Sequence, residues 1–145
     1  MDLTKSLNRS YNDLIGNDGT NEFLAGGNFA GFRYATEQEV ITLWTHAGIT
    51  TDSAGAVAAN SNSVTIEVFA ALVGFTGFNR SFSDGTFRDV IQGITGSPGS
   101  AGSGFRSTGN LSVIRNGVVG QISTGGFANI SNGVGATVIG NYLVR

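Results

Sequence analysis

The sequence predicts an α+β fold in which N-terminal helices pack on a mainly antiparallel β-sheet formed by the second half of the chain. Helix-capping patterns occur in the first fifty residues, and short β-branched or apolar runs separated by Gly, Asp and Ser follow after residue 75. This segregation is typical of α+β folds and not of alternating βαβ units. The 23 glycines and single proline predict many turns.

Length and composition fit one domain spanning residues 1–145, since a chain of this size buries roughly two thirds of its unfolded surface. Only 12% of the residues are charged and the net charge is −2, so the surface is expected to be polar, nearly uncharged and without a nucleic-acid partner. The lack of cysteine excludes disulfides and thiolate chemistry. No apolar run reaches the ~20 residues of a membrane span, so no membrane partner is expected.

A first helix is predicted to begin after Ser10, because Asp13 follows three residues later, at the spacing that caps a helix N-terminus. Residues 17–21, rich in Gly and Asn, form a local insertion. The helix is then predicted to resume at Phe23 and Leu24, before two glycines end it.

A short strand at residues 32–34 is predicted to precede a second helix. Thr36 and Glu39 form a Thr-x-x-Glu capping box, and Gly48 supplies the stop. The apolar stripe that this helix presents to the core consists of Val40, Leu43, Trp44 and Ala47.

The next segment is ambiguous. Residues 50–63 are predicted to form a loop, and residues 64–73 follow as the next element. Val64, Ile66 and Val68 alternate with polar residues as in a strand, whereas a preceding Ser, an apolar run and a following Gly favour a helix. We predict a helix over residues 64–73.

After residue 75 the sequence pattern predicts strands. The short runs are residues 80–82, 86–88 and 90–94, and residues 96–104 are predicted as a flexible Gly-rich loop. Glycines recur every third residue from 93 to 102, and we interpret them as loop and strand glycines and not as a phosphate-binding loop.

Two hairpins are predicted near the C-terminus. The Asn-Gly pair at 116–117 suits a type I′ turn between strands at residues 111–115 and 118–122. A second Asn-Gly pair at 132–133 predicts a hairpin between residues 127–131 and 136–144.

The N-terminal third resembles bacterial exported proteins of the PEP-CTERM type. Their recurring segments match Asp-Leu-Thr at 2–4, Ser-Tyr-Asn-Asp at 10–13 and Gly-Phe-Arg-Tyr-Ala-Thr-Glu-Gln-Glu-Val at 31–40, and residues 140–145 are similar to the strand before the sorting tail of that family. The resemblance implies a secreted or cell-surface ectodomain fragment without its signal peptide and sorting tail, with Met1 a cloning artefact.

The strand followed by a Thr-x-x-Glu helix is also similar to C-type-lectin-like domains, as in formylglycine-generating enzymes and a bacterial collagen-like adhesin. This second resemblance implies a C-type-lectin-like arrangement of the helices and the sheet.

Few residues of the sequence are suited to catalysis. His46 is the single histidine, and its place in the last turn of the second helix suits an interaction with the helix C-terminus. No Gly-x-Ser-x-Gly nucleophile elbow occurs. The sequence therefore predicts no catalytic residue and no cofactor.

Residues 17–22 place oxygen ligands around a glycine, like a calcium loop, but lack the spacing of an EF-hand. We therefore favour a solvated turn and predict no metal site, while leaving a cation at this turn open. A zinc site is not expected from one histidine and no cysteine.

Four charged residues lie close together in the sequence between residues 80 and 89. Asp84 and Asp89 are candidates for a glycosidase pair, but Arg80 and Arg88 are interleaved with them, so salt pairs are the simpler interpretation.

Arg33 is predicted to form a buried ion pair with Glu37 or Glu39 instead of binding a ligand.

The resulting hypothesis is a non-enzymatic, exported surface or extracellular-matrix domain, with a glycan or polysaccharide as its expected partner. The alternative is a structural subunit whose β-rich half pairs edge to edge into homo-oligomers. A hydrolase or metal enzyme ranks last, because no base, nucleophile and orienting group can be named together.

Overall fold

The computed structural model describes residues 3–16, 21–57, 62–65, 68, 74, 76–81, 87–116, 119–135 and 139–145. In these ranges a 3₁₀ helix (Leu3–Ser6) is followed by α1 (Tyr11–Ile15) and α2 (Glu37–His46). The strands are β1 (Arg33–Tyr34), β2 (Asn62–Thr65), β3 (Gly77–Ser81), β4 (Phe87–Gly99), β5 (Gly102–Asn116), β6 (Val119–Ser131), β7 (Gly140–Asn141) and β8 (Leu143–Val144). The α+β class is confirmed, with strands dominating.

The main sheet is built on the three long strands β4, β5 and β6. The strand order is β2-β6-β5-β4-β3, with every pair antiparallel, and β7 runs parallel to the middle of β4. A separate antiparallel ribbon joins β1 to β8. The Gly96 N–H donates to the Ala35 carbonyl at 2.8 Å, which ties the residue after β1 to β4.

Both predicted helix starts are confirmed. At α1, Asp13 Oδ2 accepts from the Ser10 N–H at 2.7 Å, and Ser10 Oγ accepts from the Asp13 N–H at 3.2 Å. Thr36 and Glu39 form the same reciprocal pair at α2. Because each pair satisfies two amides that have no partner within the helix, the local sequence is sufficient to fix the first residue.

The predicted stripe and stop of α2 are also confirmed. Trp44 and Val40 are each 1% exposed, and Gly48, just past the helix, has a φ of +87°. That left-handed conformation is available to glycine without a steric cost and ends the helix.

The predicted helix at Phe23 and Leu24 is wrong. Residues 21–31 form successive turns, in which the Gly27 N–H donates to the Leu24 carbonyl at 3.0 Å. A Cβ at Gly27 would overlap the Glu22 carbonyl, so the chain folds back on itself more tightly than a helix permits.

The predicted helix over residues 64–73 is wrong at its start, because Val64 and Thr65 belong to β2 and pair with β6. Val68 is helical, and the other predicted helix residues lie outside the described part of the chain.

The glycine-rich stretch at 96–104 is not a flexible loop. Strand β4 continues to Gly99, and β5 begins at Gly102, so only Ser100 and Ala101 form the turn. The predicted strands at 86–88 and 90–94 belong to the continuous strand β4 from Phe87 onward.

The hairpin of β5 and β6 is confirmed, although Asn116 is itself a strand residue and pairs with Val119. The second predicted hairpin is wrong. Residues 127–131 pair with β5, while β7 pairs with β4 and β8 pairs with β1. Residues 132–133 do form a turn, in which the Val134 N–H donates to the Ser131 carbonyl at 3.0 Å, but β7 and β8 after it pair with distant strands and not with residues 127–131.

Two apolar clusters lie against the sheet. The larger includes Leu3, Trp44, Ile91, Leu111 and Tyr142. The smaller contains Leu14, Tyr34, Ile94 and Leu143. Since successive side chains of a strand alternate between faces, Ile91 and Ile94 place the clusters on opposite faces.

A glycine row crosses the sheet beneath the larger cluster. Gly93 pairs with Gly109, and Gly109 pairs with Phe127, so these residues lie side by side on three strands. A Cβ at Gly93 would lie 2.6 Å from the Tyr142 ring, and one at Gly109 would lie 3.2 Å from the Trp44 ring. The two glycines thus leave the space that the buried rings fill.

Candidate functional site

A cleft of about 250 Å³ lies at the end of the glycine row, between the start of α2 and the turn of β4 and β5. We call it the Phe127 cleft. Its described lining consists of Glu37, Pro98, Ser100, Ser107, Phe127, Ala128 and Asn129.

The ring of Phe127 forms the apolar part of this cleft and is held by aromatic packing. It stacks on Trp44 with ring centroids 5.3 Å apart and planes inclined by 23°. A Cβ at Gly55 would overlap the Phe127 ring, so glycine there allows the loop to pack directly against it. The half-buried ring is therefore fixed in position before any ligand binds.

Ser107 contributes a hydroxyl without a partner. The residue is 3% exposed, and its Oγ forms no hydrogen bond with the described residues. The backbone carbonyl of Ser107 does have a partner, because Thr95 Oγ1 donates to it at 3.1 Å. A buried polar group is normally bonded, so Ser107 Oγ is available for a hydrogen bond to water or to a ligand in the cleft.

Asn129 and Ser100 form the exposed rim of the cleft. Asn129 Nδ2 donates to Ser100 Oγ at 3.0 Å. A Cβ at Gly99 would lie 2.5 Å from Asn129 Oδ1, so the glycine allows the amide to lie across β4. The amide and the hydroxyl retain further donor and acceptor capacity.

Glu37, the first residue of α2, is the acidic residue in the described lining of the cleft. Its backbone N–H donates to Ser97 Oγ at 2.9 Å, which fixes the helix start against β4. Among the described residues, neither ion pair involves Glu37.

A second cleft of about 220 Å³ adjoins Phe127 and is lined by Asn110, Gly125 and Gly126. Asn110 Nδ2 already donates to the Thr108 carbonyl at 3.0 Å. Asn110 is the one residue with a polar side chain in its described lining, and we do not assign this cleft a ligand.

A buried polar network lies around Asn141. Tyr34 donates its hydroxyl hydrogen to Asn141 Oδ1 at 2.8 Å, and Asn141 Nδ2 donates to the Ser6 and Arg9 carbonyls at 3.0 and 3.1 Å. Burial raises the pKa of Tyr34 above its usual value. Both N–H donors of the Asn141 side chain are used and its oxygen is bonded, so the network joins the N-terminal turn to β7.

The residues singled out in the sequence do not come together at one site. His46 is exposed in the last turn of α2, in the place predicted for it. Arg33 pairs with Glu39, as predicted, through contacts of 2.6 and 2.8 Å, but the prediction of a buried pair is wrong, since the two side chains are 58% and 39% exposed. The pairing lowers the pKa of Glu39 to about 2.

Of the predicted cation loop, residues 17–20 lie outside the described residues. Glu22 forms an ion pair with Arg9 at 2.8 Å and accepts from the Asn28 side chain at 2.9 Å. The hydrogen bond from Arg9 lowers the pKa of Glu22. Elsewhere in the described ranges, no group of three His, Asp or Glu residues is placed to hold a metal.

Arg88 and Asp89 are consecutive buried residues of β4, so their side chains point to opposite faces of the sheet and do not form a joint site. Asp84 and the side chain of Arg80 lie outside the described residues, so the predicted salt pairs of this region stay a prediction.

The sequence analysis missed Ser107, Phe127 and Asn129 as a group. Ser107 lies in β5, whereas Phe127 and Asn129 lie in β6. The pairing of the two strands brings them together and places Ser107 opposite Asn129. The local pattern of polar and apolar residues contains no signal for that long-range register.

No protein-family model, curated protein or solved structure matches this chain. Within the described residues, no helix has the length and apolar character needed to cross a membrane.

Proposed function

We propose that this chain is a non-enzymatic, exported surface or matrix domain that binds a glycan or polysaccharide in the Phe127 cleft. The observation that carries the proposal is the buried, unpartnered hydroxyl of Ser107 next to a fixed aromatic ring. A sugar ring offers an apolar C–H face to an aromatic ring and hydroxyl groups to polar side chains, which matches this combination.

The size and openness of the site favour one sugar unit of a longer chain. Its volume of about 250 Å³ is below the ~300–1,000 Å³ typical of pockets that enclose drug-sized ligands. Ala128 and Asn129 on its rim are exposed, so a polymer can continue beyond the bound unit.

Export and a C-type-lectin-like relationship are further parts of the proposal, supported by the PEP-CTERM-like segments and by the capped α2 helix that follows β1. Recovery of the native protein from the cell surface or culture medium of its source would support export. Recovery from the cytoplasm alone would contradict it.

Glycan-array binding followed by calorimetry tests the ligand. Wild-type protein is expected to bind a glycan, and Asn129→Ala is expected to weaken that binding about fivefold, because it removes an exposed hydrogen-bonding group of the rim. Ser103→Ala is the matched control, since Ser103 is an exposed strand residue outside the described cleft lining. Folded wild-type protein that binds no glycan would overturn the proposal.

Self-assembly is the second candidate, supported by the outer edge of β6. Among the described residues, this edge is covered by β2 at residues 119–122 and by a bridge from Val57 to Gly125, and no strand covers residues 126–131. Residues 126–131 contain no charge and no proline, the usual protections against edge pairing. Light scattering that shows a monomer at high concentration would contradict this candidate.

A further inference from the structure

We infer that the Phe127 cleft selects glycans that carry a free amino group, such as partly deacetylated hexosamine polymers. The inference rests on the proposed glycan-binding function and names the class of ligand. Its basis is the charge of the cleft, because Glu37 is the one ionisable side chain in the described lining.

The three glutamates of the described residues differ in how their carboxylates are used. Glu22 pairs with Arg9, and Glu39 pairs with Arg33. Glu37 instead lines the cleft, and no described cation forms an ion pair with it. Among the described residues, therefore, no cation neutralises the charge of Glu37 at the cleft.

The other polar groups of the cleft supply oxygen acceptors for the same ligand. A primary ammonium group has three N–H donors and no acceptor. Ser107 Oγ is buried and has no hydrogen-bond partner among the described residues, and Asn129 Oδ1, on the rim, accepts a long hydrogen bond of 3.4 Å from Ser100 Oγ and keeps a second lone pair. Together with the Glu37 carboxylate, these oxygens match three donors, whereas an N-acetyl group supplies one donor and no charge.

Sugar carboxylates and sulfates are disfavoured by the same charge. In the described lining of the cleft there is no arginine or lysine to pair with an anion. The repulsion between Glu37 and an acidic sugar would thus be uncompensated. Acidic polysaccharides are expected to bind more weakly than neutral ones.

The test compares a β-linked glucosamine tetramer with its fully N-acetylated form by calorimetry at about pH 6 and low salt. Wild-type protein is expected to bind the free amine about tenfold more tightly, as for one charge-assisted hydrogen bond in a half-exposed site. Glu37→Gln is expected to remove that preference, so that the two tetramers bind with similar affinity.

Two control variants isolate the role of Glu37. Gln38→Lys changes the net charge by the same amount as Glu37→Gln, but at an exposed residue outside the described lining, so it is expected to retain the preference. Glu37→Asp retains the carboxylate and is expected to retain part of the preference. Thermal unfolding of each variant verifies that it is folded.

The outcomes separate the two proposals. Equal binding of both tetramers, or tighter binding of the acetylated form, would overturn the amine preference and leave glycan binding standing. A wild-type preference that persists in Glu37→Gln would also overturn it. If folded wild-type protein binds neither these tetramers nor any array glycan, the proposed function itself fails.

Discussion

The Asn141 network and the Phe127 cleft contain similar chemical groups in opposite states. Around Asn141, the Tyr34 hydroxyl and the Asn141 amide are buried and bonded at 2.8 to 3.1 Å. In the Phe127 cleft, Ser107 Oγ is equally buried but has no bond to the described residues. Since an unbonded buried polar group costs about 1–3 kcal/mol, the first region stabilises the fold, whereas the hydroxyl of the second does not; in the proposed function this hydroxyl bonds to the ligand.

Asn141→Ala is expected to have the largest effect, a loss of about 3 kcal/mol in the free energy of unfolding. The change removes bonds to Tyr34, Ser6 and Arg9 and leaves their buried polar groups unsatisfied. Urea unfolding followed by circular dichroism measures the loss.

Ser107→Ala is the matched control for that prediction. Because Ser107 Oγ has no hydrogen bond to the described residues, we expect the free energy of unfolding to rise by about 1 kcal/mol. Similar losses in the two variants would show that the distinction between the bonded network and the open cleft does not hold.

The packing of the buried rings in the larger cluster depends on the glycine row, and Gly93→Ala is expected to lower the free energy of unfolding by about 2 kcal/mol. Its Cβ would lie 2.6 Å from the Tyr142 ring, which is fully buried and cannot move away freely. Thermal unfolding measures the change.

Gly104→Ala is the control for Gly93→Ala, since both glycines lie in strands. A Cβ at Gly104 meets no atom within 4 Å, so the expected effect is within about 0.5 kcal/mol. A loss at Gly104 equal to that at Gly93 would attribute both effects to the backbone and not to the rings.

The sequence predicted the helix boundaries because their causes are local. Ser10 with Asp13, and Thr36 with Glu39, satisfy amides within one turn, and Gly48 ends α2 through its own backbone conformation.

In the sheet, by contrast, glycines led to a wrong prediction. Gly96 and Gly99 read locally as a loop, yet both lie in β4, where a Cβ would lie 2.9 Å from Tyr34 Cβ and 2.5 Å from Asn129 Oδ1, respectively. The reason for glycine there is a contact with residues at least thirty positions away. For that reason the α+β class could be predicted, whereas the register of β5 with β6, and with it the cleft, could not.

The start of α2, at the Phe127 cleft, is expected to contribute to stability in a pH-dependent way. Both capping boxes have an acidic residue at the third helical position, Asp13 in α1 and Glu39 in α2. Glu39 also forms an ion pair with Arg33. Glu39→Gln retains the capping geometry and removes the charge. The expected loss is about 1 kcal/mol or less at neutral pH, because solvent screens this exposed pair.

The pH dependence identifies the source of that loss. The pKa of Glu39 is lowered from 4.5 to about 2 by the Arg33 hydrogen bonds and the Thr36 amide, so its ionised form is favoured in the folded state. The stability it contributes is complete above about pH 5 and is lost as the pH falls through about 2. Thermal unfolding of wild type and Glu39→Gln between pH 2 and 7 should therefore show a difference that shrinks towards pH 2. A difference that does not change with pH would assign the effect to the cap and not to the ion pair.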